Sequence, residues 1–71
     1  MQKEVAKKLM PLATSPELYP ILQLYVEDRI ETMRGYLENT KEHTKILEIQ
    51  GAIAELRRFQ TLREQAIEGA K

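Results

Sequence analysis

The sequence predicts an all-α protein: an antiparallel hairpin of two long helices with a short N-terminal helix or arm, assembling into a helical bundle. Three observations carry this. Apolar residues recur at intervals of three and four over two long stretches, a short polar run separates the stretches, and a shorter stretch with the same spacing, Val5, Leu9 and Leu12, precedes them.

At 71 residues the chain is long enough for one domain. A chain of this size hides only roughly 60% of its unfolded surface on folding, so its own core leaves stability marginal. With no cysteine, neither a disulfide framework nor a thiolate metal site can add to it. Oligomerisation or docking remains the route to further burial.

The N-terminal piece, residues 1–14, reads as an arm or short helix. Val5, Leu9 and Leu12 share a face and Glu4 can meet Lys7 and Lys8, while Pro11 weakens the segment. So short a helix is marginal alone, and it is expected to form where Val5, Leu9 and Met10 find a surface.

Residues 16–38 form the first long helix. Ser15, Pro16 and Glu17 have the order of an N-cap, a residue with preset φ and a first-turn acid. Pro20 leaves two starts open, a distorted first turn after Ser15 or a start nearer Pro20. Leu22, Val26, Ile30, Met33 and Leu37 then form a stripe. Leu18, Ile21, Tyr25 and Tyr36 widen it beyond what one partner helix would cover.

Residues 39–44 are expected to turn, because "ENTKEHT" is a polar run without an apolar residue. Asn39 followed by Glu42 has capping-box order, with Thr40 and Thr44 as alternative caps. One unbroken rod stays open, since the run holds neither proline nor glycine. Residues 45–68 are expected to form the second long helix, its seam running through Ile46, Ile49, Ile53 and Leu56 and onward through Phe59, Leu62 and Ala66. Gly51 stands mid-helix beside Ala52 and Ala54, where small side chains would admit another backbone; the alternative is a glycine facing solvent.

Charge argues about partners. Eleven basic and eleven acidic residues give a formal net charge of zero and a pI near 6.6. That balance argues against a dominant attraction to nucleic acid or acidic lipid. Residues 1–16 carry three Lys and one Glu, residues 17–38 two Arg and five acids, and residues 39–71 six bases and five acids. An acidic first helix would thus attract the second, with Arg57 and Arg58 lying along the seam.

Catalytic constellations are lacking. His43, the only histidine, has no second ligand on its helical face, Ser15 reads as a cap, and the three glycines are isolated rather than gathered in a phosphate loop. The sequence therefore predicts no enzyme, no catalytic residue, no metal and no cofactor. It also predicts no membrane span, since no apolar run approaches roughly 18 residues, and no signal peptide at the N-terminus.

The segment "LEIQGAIAELRRFQTLRE", with "RGYLENTKEH" before it, resembles the C-terminal half of small helical proteins encoded among the virion-assembly genes of tailed bacteriophages. Those proteins follow a polar turn with a helix bearing a Gln-Gly pair, an Ile two residues on and a Leu-Arg motif. The resemblance covers residues 34–64, and it implies a phage origin and a virion or assembly role in the host cytoplasm or the virion. It transfers no catalytic residue.

The preferred functional expectation is a non-enzymatic interaction or assembly protein, most simply a homo-oligomer. Its interface would use Leu22, Val26, Ile30, Met33, Ile49, Gly51, Ile53, Leu56 and Phe59, with another phage or host protein as a further partner class. One alternative is a small nucleic-acid-binding regulator using Lys7, Lys8, Arg57, Arg58 and Arg63. Another is an inhibitor docking its acidic helix, through Glu27, Asp28 and Glu31, on a host enzyme.

Overall fold

The computed structural model describes residues 1–71, and every regular element in it is helical. In chain order these are α1 (Lys3–Ala13), α2 (Leu18–Asn39), α3 (His43–Phe59) and α4 (Leu62–Ala70). The helices pair as α2 with α3 and α1 with α4, with a smaller contact between α1 and α2. The fold is an all-α bundle.

The start of α2 follows from Ser15. Its Oγ accepts hydrogen bonds from the backbone N–H of Leu18, at 2.9 Å, and of Glu17, at 3.3 Å. Pro20, which has no N–H, leaves residues 16 and 17 in a distorted first turn, and regular helix begins at Leu18. At the far end Asn39 and Thr40 donate side-chain hydrogen bonds back to the carbonyls of Gly35 and Tyr36. These contacts close α2 off, and the chain turns through residues 40–42 into α3. The expected capping box does not form: Asn39 turns back to its own helix, and Glu42 makes no side-chain cap.

Facing stripes hold α2 on α3. Val26, Ile30 and Ile53 are buried together, with Leu22, Met33, Ile49 and Leu56 packed around them. All four ion pairs lie within single helices at i,i+3 and are exposed. The charge asymmetry between the two helices therefore produces no ion pair across the seam, and apolar contact holds it, since each exposed pair is worth only about 0–1 kcal/mol.

The expected helix over 45–68 is broken. Regular helix stops at Phe59 and restarts at Leu62, although no proline or glycine stands between them. As a result Leu62 and Ala66, expected to extend the seam with α2, are buried in the α1·α4 pair instead. There α1 runs antiparallel to α4, with Ala6 beside Gly69 and Ala13 beside Arg63. The face of α1 differs by one residue from the expected one. Ala6 and Ala13 are fully buried and Val5 is exposed, because the short alanine side chains let two helix backbones come close.

Gly69 has a structural role of the kind expected at Gly51. A Cβ at Gly69 would lie 2.9 Å from the Ala6 Cβ, whereas one at Gly51 would meet nothing within 4 Å. The close approach belongs to α1 and α4, and Gly51 lies on an exposed part of α3. Gly69→Val is accordingly expected to lower stability by about 1–3 kcal/mol through overpacking. Gly51→Ala is expected to raise it by about 0.5–1 kcal/mol by removing a helical glycine. Urea titrations of both variants check this; midpoints moving in the same direction would contradict the placement of the two glycines.

Candidate functional site

Two features stand out: a polar knot at the α3–α4 break, and an apolar stripe left uncovered along α2. The knot is built from Tyr19 and Gln23 on one side of the break and Arg63 on the other. In an unbroken helix the Arg63 N–H would donate to the Phe59 carbonyl, and the next N–H to the Gln60 carbonyl. Here the Gln23 amide donates to the Phe59 carbonyl at 2.8 Å, and the Arg63 N–H donates to the Tyr19 hydroxyl at 3.1 Å. The same hydroxyl donates toward the Gln60 carbonyl at 3.5 Å. Side chains of α2 thus replace the hydrogen bonds that the break removes.

Arg63 extends the knot to α1. Its guanidinium lies 4.7 Å from the centroid of the Tyr19 ring, and its Nε donates to the Ala13 carbonyl at 2.9 Å. Gln65 completes the break by donating to the Arg58 carbonyl at 2.6 Å and to the Thr61 hydroxyl at 3.0 Å. Tyr19 is buried, and no buried side-chain polar atom is left without a partner. The arrangement contains no reactive pair, and its chemistry is structural: it joins the α2·α3 pair to the α1·α4 pair.

The uncovered stripe has a different character. Leu18, Ile21, Tyr25 and Tyr36 share one side of α2 and are 55–62% exposed. Glu27, Glu31 and Arg34 occupy the opposite side of the same helix, where with Arg57 and Gln60 of α3 they line an open groove. On α3, Phe59 stands two residues from Arg57, which at helical spacing puts it on the side away from that groove; it is 42% exposed. The α2·α3 hairpin therefore has a groove lined mainly by charged residues on one side and the Leu18, Ile21, Tyr25 and Tyr36 stripe on the other, while Leu24 and Leu47 are exposed outside that stripe.

The nine residues expected at an interface between chains are distributed as follows. Leu22, Val26, Ile30, Met33, Ile49, Ile53 and Leu56 form the seam between the chain's own α2 and α3. Gly51 and Phe59 are exposed. The residues that widened the stripe, Leu18, Ile21, Tyr25 and Tyr36, are exposed, as are Leu24 and Leu47 elsewhere on the same two helices.

The basic residues considered for nucleic-acid contact are divided. Lys7 and Lys8 are exposed on α1, Arg58 pairs with Glu55 at 3.5 Å, and Arg63 is engaged in the knot. Arg57 faces the groove beside Glu27 and Glu31. Of the acids considered for docking on a basic groove, Glu31 pairs with Arg34 at 2.6 Å, and Glu27 and Asp28 form no ion pair. His43 is exposed at the first position of α3, and no three His, Asp or Glu side chains gather where they could share a metal ion. No helix is long and apolar enough to cross a membrane.

No protein-family model, curated protein or solved structure matches this chain.

Proposed function

We propose that this chain is a non-enzymatic protein–protein interaction or assembly protein of phage origin, acting in the host cytoplasm or the virion. The observation that supports this reading is the shape of the molecule. Its extents are 43 × 24 × 13 Å, and eight of its 71 residues are buried. Domains become stable by packing layers around one core, and a hairpin of two helices leaves both of its broad faces outside. Here one of those faces carries Leu18, Ile21, Tyr25 and Tyr36. The phage origin rests on the resemblance of residues 34–64 to virion-assembly proteins, a segment that holds Tyr36 alone of these four residues.

The reading is tested by placing a photo-crosslinking amino acid at position 25, on the apolar face, and at position 27, on the charged face, in the native host cell. A discrete protein adduct from position 25 and none from position 27 is the expected result. If position 25 yields no adduct, the interaction reading fails, whatever the partner.

A further inference from the structure

The chain as a whole exposes more surface than a compact monomer of its mass, room enough for an interface with another protein. A compact monomer of 8.3 kDa exposes about 4,600 Å² by the usual scaling of area with mass. This chain exposes 5376 Å², an excess of about 800 Å² over that scaling. Its radius of gyration is 14.6 Å, against the about 11 Å expected for its length. An excess of about 800 Å² is the area that each partner contributes to a standard-size protein–protein interface.

We propose that the occupant is a second copy of this chain, stacked on the Leu18, Ile21, Tyr25, Tyr36 and Phe59 face of the hairpin in a closed two-fold dimer. This rests on the interaction reading above and names its partner. An isologous pairing places the same face on both sides of the contact, so one apolar stripe serves as both halves of the interface. It converts two hairpins into a four-helix core, the arrangement that a lone hairpin lacks. Tyrosine and phenylalanine suit such a contact, since each covers much area with few rotatable bonds.

Charge permits the same pairing. The formal net charge of zero removes the long-range repulsion between identical chains. Midway along the stripe Asp28 and Arg29 carry opposite signs, and neither forms an ion pair within the chain. The strip to be covered therefore brings two charged side chains of opposite sign into the contact, whereas the opposite face would bring four, Glu27, Glu31, Arg34 and Arg57.

Sedimentation equilibrium of the purified full chain across a concentration series, with helicity followed by circular dichroism, tests the proposal. The wild type is expected at twice its 8.3 kDa mass, dissociating on dilution. Tyr25→Glu is expected to raise the dissociation constant at least about thirtyfold, as loss of a buried tyrosine anchor does, with helicity at high concentration retained. Glu27→Gln, on the charged face, is expected to leave it unchanged. A wild type that stays monomeric up to about 1 mM overturns the proposal, a concentration at which only very weak association escapes detection. So does a dimer indifferent to Tyr25→Glu, or an open series of masses beyond the dimer. A monomer that still gives the position-25 adduct with a foreign protein would remove the second copy as occupant and keep the interaction reading.

Discussion

Tyr19→Ala is expected to leave the isolated chain largely unfolded at 25 °C. The ring is buried at 6% exposure, and removing a buried aromatic side chain costs about 3–5 kcal/mol. The substitution also strips the Arg63 N–H of its acceptor and the guanidinium of the ring it lies over. A folded chain of this length has about 4–11 kcal/mol in all, and one with eight buried residues sits toward the lower end. Tyr19→Phe separates the contributions. It keeps the ring under Arg63 and removes the hydroxyl alone, so a loss of about 1–3 kcal/mol is expected. Urea unfolding followed at 222 nm distinguishes them. Equal losses from the two variants would mean that the hydroxyl dominates and the packing of the ring counts for little. A loss from Tyr19→Ala under about 1 kcal/mol would mean that the α3–α4 break does not depend on the knot, since a neutral hydrogen bond alone is worth that much.

The break itself explains what could and could not be read from the sequence. The stripes of α2 and α3 were legible because burial of a helix against one neighbour imposes a period near 3.6, and Leu22, Val26, Ile30, Ile49, Ile53 and Leu56 follow it. The turn was legible because a run without apolar residues has nothing to pack, although the capping partners inferred for it were not the ones that form. The interruption at residues 60 and 61 left no such mark. Phe59, Leu62 and Ala66 continue an acceptable helical pattern, and the interruption depends on side chains some forty residues earlier in the chain. A hydroxyl on Tyr19 and an amide on Gln23 take over backbone groups at the break, and only the folded hairpin brings them there.

The same reason governs the small residues. Gly51 and Gly69 are both isolated glycines in helical sequence, and local pattern cannot say which one meets a neighbour. Once the break redirects α4, Gly69 faces Ala6, and α1 turns its alanines rather than Val5 inward. The surplus apolar residues were legible in number, because Leu18, Ile21, Tyr25 and Tyr36 exceed what one helix can cover. Their use was not, since the seam residues expected between chains close the hairpin within one chain. The proposed self-association surface therefore lies on the flank of the stripe rather than in its middle.

That displacement gives Ile53→Ala a large and concentration-dependent effect. Ile53 is one of three buried residues in the α2·α3 seam, and truncating a buried isoleucine costs about 2–5 kcal/mol through lost burial and the cavity left behind. On a chain this small that loss approaches the whole stability of the monomer. In the proposed dimer, binding between folded copies adds stability that grows with concentration, because only the native state associates. The melting temperature of Ile53→Ala is therefore expected to fall steeply at low micromolar protein and to recover in part as concentration rises. Tyr25→Glu should show the converse, a melting temperature near that of the dissociated wild type and nearly independent of concentration. Thermal melts across a hundredfold concentration range read both. If Ile53→Ala showed no concentration dependence while the wild type did, the seam and the outer face would be parts of one interface. The hairpin would then not be an independent unit presented to a partner.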